Sequence, residues 1–81
     1  MITYESSRKI RRELIYEPIR RLANKEGLTQ KEIINKYVSM YGRKDYDEMF
    51  AETFAGAMLG KPNELQKELI QFLIELGEWE E

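Results

Sequence analysis

Leu65, Leu69, Phe72, Leu73 and Leu76 recur at the spacing i, i+4, i+7, i+8, i+11, and Ile70 and Ile74 broaden the same stripe. Only an α-helix turns such a spacing into one apolar face, and a strand would scatter it over both sides. Asn63 stands just before the stripe with Gln66 three positions on, the pattern of an N-terminal capping box. Gly77 ends it. A helix with so continuous an apolar face must bury it against other elements, and the rest of the chain supplies them in kind.

Three further helical segments can be read, and no strand signal of comparable strength. The first runs from about Ser6 to Asn24, with Ile10, Leu14, Leu22 and Ala23 as inward positions. Pro18 removes a donor and disfavours a helical Glu17, which predicts a kink there, or two short helices with Pro18 opening the second. The second helix starts on a capping box of Thr29 and Glu32, with Leu28 and Ile33 as its hydrophobic staple. Ile33, Tyr37 and Met40 or Tyr41 share its inner face, and Gly42 is the expected stop. Asp45 opens the third helix with a similar box ending at Glu48. Phe50, Phe54, Ala57 and Met58 form its expected inner face, with Asp45, Glu48 and Glu52 on the opposite side; Gly60 and Pro62 close it. The expected fold is all-α, a small bundle of three to four short helices in one domain over residues 1–81.

At 81 residues the chain buries only about 60% of its unfolded surface. With no cysteine and no histidine, neither a disulfide nor an ordinary structural zinc site can assist it. Stability must come from helix packing. The lack of cysteine fits a reducing cytoplasm. Met1 to Glu5 has no apolar core of the signal-peptide kind, and no apolar run approaches the roughly 18 residues of a membrane helix. A soluble protein is expected, in the cytoplasm or associated with a virion.

Net charge is −2, and the average hides a division. Residues 1–44 carry 11 basic and 5 acidic side chains, a balance of +6; residues 45–81 carry 2 basic and 10 acidic, a balance of −8. In a compact domain the first expectation is two halves that attract each other. Other readings are open. Arg8, Lys9, Arg11, Arg12, Arg20, Arg21 and Lys25 could bind phosphate, but they spread around the helix rather than forming one stripe. Residues 22–33 resemble the opening of a helix-turn-helix DNA-binding domain. The following helix would then enter the major groove carrying Asp45, Asp47, Glu48 and Glu52 against phosphate. The acidic half could also act as a nucleic-acid mimic that blocks a basic groove. Trp79, in the acidic tail Glu78–Glu81, is expected to fold back as a lid on the core.

One constellation points to chemistry. Tyr41 precedes two carboxylates four residues apart, Glu48 and Glu52, within Glu48-Met49-Phe50-Ala51-Glu52-Thr53-Phe54-Ala55. This segment resembles the C-terminal part of the catalytic domain of anthrax lethal factor-like zincins, and related domains of phage minor head (head morphogenesis) proteins. There an aromatic-rich E-F-F-A-E-A-F helix follows a Y-A-x-x-N turn. The resemblance covers about residues 37–76. It implies that Tyr41 matches the catalytic tyrosine, Glu48 the third zinc ligand and Glu52 a residue that supports the ligands. The chain departs from the pattern decisively, because the His-Glu-x-x-His half is absent. Two glutamates without imidazole ligands hold zinc weakly and activate water poorly. Helix capping alone also explains Asp45 and Glu48. The expectation is therefore a non-catalytic protein-interaction module with no cofactor and no metal of its own, encoded by a phage or mobile element. Its binding residues are Asp45, Glu48 and Glu52, and its partner is another protein of phage or host. The alternatives are a split metallopeptidase, in which a partner supplies the histidines to Glu48 and Tyr41, and the DNA-binding or mimic readings above.

Overall fold

The computed structural model describes residues 4–40, 43 and 45–78, with side chains from Arg12 onward. Four helices follow one another: α1 (Tyr4–Glu26), α2 (Gln30–Tyr37), α3 (Tyr46–Ala57) and α4 (Glu64–Glu75). The all-α bundle expected from the sequence is the fold. Among the described residues, no helix is long and apolar enough to cross a membrane.

α1 is the axis on which the other three helices pack. It runs unbroken through Pro18 rather than dividing there. Pro18 is itself fully buried, beside Ile15 and Ile19. The core face of α1 is Ile15, Pro18, Ile19, Leu22 and Ala23, whereas the expected Leu14 is only half-buried and the Ile10 side chain lies outside the described residues. The reason is that a proline read as a breaker is here an apolar core residue. The ring costs one backbone hydrogen bond, and the burial of its neighbours outweighs that loss. Glu17, the residue that a following proline pushes out of the helix, is held by Arg20 and Arg21 at 2.7 and 3.0 Å.

α2 begins as its sequence specifies. The Thr29 hydroxyl accepts from the Glu32 backbone N–H at 3.1 Å, and the Glu32 carboxylate accepts from the Thr29 N–H at 3.0 Å. Its end differs from the expectation. The helix stops at Tyr37, because Val38 turns to an extended conformation and buries its side chain in the core. The carbonyls this releases are taken by Arg43, which donates to Val38 O at 2.9 Å and Asn35 O at 2.8 Å. Met40 is consequently on the surface, not on an inner face. The expected stop at Gly42 lies outside the described residues.

α3 is capped by Asp45, which accepts from the Glu48 N–H at 2.8 Å; among the described residues only this half of the expected box forms. Its buried face is Met49, Thr53 and Ala57. Of the expected set, Ala57 alone is buried; Phe50 is half-buried, and Phe54 and Met58 are exposed. The helix has turned about one residue step, some 100°, from the orientation its phenylalanines suggest. Small side chains explain the choice. Thr53 and Ala57 let α3 approach its neighbours closely, and Gly56 leaves room for Gln66 of α4, which a Cβ would strike at 2.0 Å. Phe50 and Phe54 stack on each other instead, 5.7 Å apart, at the margin of the core.

α4 holds the reciprocal box expected of Asn63 and Gln66, both bonds 2.8 Å. Leu65, Leu69 and Leu73 are buried, Phe72 is half-buried and Leu76 is exposed. Gly77 ends the helix in the left-handed conformation, φ 75°. Its N–H donates to Ile74 O at 3.0 Å and the next N–H, of Glu78, to Leu73 O at 2.8 Å, the Schellman arrangement.

The basic and acidic halves do attract each other within the fold. Arg21 forks onto Glu75 at 2.7 and 2.9 Å while also bonding Glu17, and lies over the Phe72 ring at 5.0 Å. Lys25 pairs with Glu68. At the α1–α2 corner, Lys36 and the Tyr37 hydroxyl both donate to Glu26. These donors hold carboxyls in their charged form. Bonds from Arg20, then Arg21, lower Glu17 from 4.5 to about 2. Glu26 is lowered by Lys36 and Tyr37, Glu75 by Arg21, and Glu32 by the Thr29 N–H.

A pH dependence follows from these directions. Groups whose folded pKa is depressed stabilise the fold above the unfolded value near 4.5, and that contribution vanishes as pH falls through the folded value. Thermal unfolding is expected at nearly constant temperature from pH 7 to about 5, then to fall steeply toward pH 2. Glu17→Gln should lower the neutral-pH plateau and flatten the acid limb. A melting temperature as high at pH 2.5 as at pH 7 would contradict this origin of acid sensitivity.

Candidate functional site

The three carboxylates expected to act stand on or beside the outer side of α3. Asp45 is exposed and occupied with capping. Glu48, one turn on, is exposed, and Glu52, a further turn on, is half-buried with its Oε2 enclosed and without a hydrogen-bond partner. Glu48 and Glu52 thus share a helix face, as their four-residue spacing requires. Tyr41, the matching tyrosine of the zincin resemblance, lies outside the described residues. Among the described residues no group of three histidines, cysteines, aspartates or glutamates could hold a metal ion.

What lies around these carboxylates was not expected. The rotation of α3 leaves Phe54 37% exposed and Met58 63%, and Leu59 just beyond the helix is 83% exposed. Ala51 and Ala55, also exposed, lie between these side chains and Glu48 on the helical wheel. The outer side of α3 is thereby an apolar strip with acidic residues at its start and along one edge. The signal was present in the sequence. Tyr46–Ala57 is apolar around most of its circumference, and a small helix cannot bury every side against a four-helix bundle. Met49 and Thr53 offer a second, smaller inner face beside the one its phenylalanines suggest.

A concavity sits at the other end of α3. Tyr16 of α1, Tyr46 of α3 and Phe72 of α4 floor an open groove of about 550 Å³, rimmed by Arg12, Glu13 and Glu17. The two tyrosine rings meet edge to face at 6.4 Å.

The basic residues of the first half are largely committed elsewhere. Arg20, Arg21 and Lys25 are in ion pairs with Glu17, Glu75 and Glu68. The side chains of Arg8, Lys9 and Arg11 lie outside the described residues, as does Trp79 with the lid role expected of it. A groove-reading third helix would present Asp45, Glu48 and Glu52 to phosphate, an arrangement that repels a polyanion.

Compared with known protein families, with curated proteins and with solved structures, the chain gives no significant match.

Proposed function

We propose that the chain is a non-catalytic protein-interaction module whose partner docks on the outer side of α3. The observation that carries this reading is the strip Phe54, Met58 and Leu59, exposed by 37, 63 and 83% at the C-terminal end of α3 and just beyond it, on the side bordered by Glu48 and Glu52. Scattered apolar residues on a surface need no explanation, but a cluster bordered by charge is the composition of an interface. Apolar side chains there supply the burial, and the carboxylates select a partner with basic residues opposite them. The Glu48–Glu52 pair is consistent with descent from the zincin-like segment of a phage head protein, with the acidic helix kept for binding. A phage or mobile-element protein acting in the cytoplasm or on the virion fits the same reading.

The test is a pair of variants. Met58→Ser with Leu59→Ser removes the apolar part of the strip; Glu48→Lys with Glu52→Lys reverses its charge. Met58, Leu59 and Glu48 are exposed and Glu52 is half-buried, so the binding comparison is made on variants whose helical content is first shown to match that of the wild type. Each pair should weaken partner binding at least about tenfold, equivalent to roughly 1.4 kcal/mol. Folded variants that bind as tightly as the wild type would remove the α3 surface from the interface.

A further inference from the structure

We propose that the segment received by the outer side of α3 is an amphipathic helix of the partner, with lysine or arginine along one edge of its apolar stripe. This inference rests on the docking role proposed for α3 and adds the charge and shape of what docks there. Charge comes first. Among the described residues four glutamates are withdrawn from solvent: Glu17, Glu26, Glu52 and Glu68. Three of them have a cation within the fold: Arg20 and Arg21 for Glu17, Lys36 for Glu26 and Lys25 for Glu68. Glu52 is in no ion pair among the described residues, and its Oε2 is enclosed without a hydrogen-bond partner. A carboxylate that has lost water without gaining a cation is in its costly state, and an arriving cation relieves it. Glu48, one turn before it, is exposed and also in no ion pair among the described residues. The two make an unmatched acidic edge about 6 Å long, which two basic side chains four residues apart on a facing helix complement.

Shape comes second. The side chains of Ala51, Phe54, Ala55 and Met58, all exposed, bring no hydrogen-bonding group to the strip. The backbone of α3 uses its own polar groups internally, and the described residues contain no strand whose edge an extended segment could join. A segment laid on this surface must therefore satisfy its own backbone, as a helix does. Ala51 and Ala55 carry only a methyl group each, four residues apart. They leave a shallow furrow along α3 between Phe54 and Met58 on one side and Glu48 and Glu52 on the other. A ridge of apolar side chains on a second helix fits such a furrow, and its basic edge then lies over the glutamates.

The experiment is fluorescence anisotropy of two labelled helical peptides of about 20 residues, titrated with the full chain. The peptides share one leucine stripe and differ only in carrying lysine or glutamate, four residues apart, along its edge. The wild type should bind the lysine peptide with a dissociation constant on the order of 10–100 µM, at least about tenfold more tightly than the glutamate peptide. Glu48→Lys with Glu52→Lys should reverse that order, and its gain of the glutamate peptide also shows that the variant is folded. Glu64→Lys with Glu78→Lys makes the same change in net charge away from α3, and should keep the wild-type order. A wild type that binds neither peptide, or both equally, overturns the assignment of a basic helix. So does a preference that shifts alike in both double variants, because it then follows net charge rather than the α3 edge. The docking role fails separately, when capture of partners from native cells is indifferent to changes on α3.

Discussion

Ile19→Ala is expected to destabilise the protein by about 2–5 kcal/mol, enough to unfold a large fraction of it at 37 °C. Ile19 is fully buried in the middle of α1, in one cluster with Ile15, Leu22, Ile33, Val38, Met49 and Leu65. That cluster draws on all four helices, so the lost carbons leave a cavity in the core that joins them. A domain of this size holds roughly 4–12 kcal/mol in total, and each kcal/mol moves its melting temperature by about 4–8 °C. Leu14→Ala is the informative control. Leu14 was the expected core position but is half-buried, and its truncation should cost only about 1–1.5 kcal/mol. Equal costs at the two sites, measured by urea unfolding, would mean that α1 presents the other face to the bundle.

Lys25 and Glu68 should respond unequally to removal of their partner. The Glu68 side chain is 8% exposed and that of Lys25 is 65% exposed. Lys25→Met leaves a carboxylate among α1 and α4 side chains with no counter-charge, and stranded buried charges are costly. Water still reaches the open Lys25 side, which reduces the expected loss to about 1–3 kcal/mol. Glu68→Met instead removes the desolvated group and leaves an ammonium that water solvates. Its effect should lie within about 1 kcal/mol of zero, and can be stabilising. The double variant should resemble Glu68→Met alone. If Lys25→Met proves harmless while Glu68→Met is severe, Glu68 acts through packing and the ion pair is incidental.

Where local chemistry decides, the sequence was legible. The boxes at Thr29–Glu32 and Asn63–Gln66, the cap at Asp45 and the Gly77 stop depend only on neighbours within a turn, and all form. The α4 stripe also points inward as its period requires, with Leu65, Leu69 and Leu73 buried. What could not be read depends on three-dimensional competition. Pro18 is a breaker by its own chemistry and a core residue by its position between Ile15 and Ile19. Val38 ends α2 because the core needs its side chain more than the helix needs another turn, and Arg43, five residues away, satisfies the exposed carbonyls. α3 carries two possible inner faces, and the smaller one won through close approach at Thr53, Gly56 and Ala57. That last decision created the candidate site. The carboxylates Asp45, Glu48 and Glu52 were visible as an outward set, but the apolar strip of Phe54, Met58 and Leu59 emerges only once the rotation of α3 is known.

The most direct test of α3 as a docking surface is comparative capture from native cells. Tagged wild-type chain and a folded variant carrying Glu48→Lys, Glu52→Lys, Met58→Ser and Leu59→Ser would be used side by side, with quantitative mass spectrometry of what each retains. The expected result is at least one protein held by the wild type and depleted by about tenfold or more on the variant. The same proteins in the same amounts on both would contradict the docking role of α3.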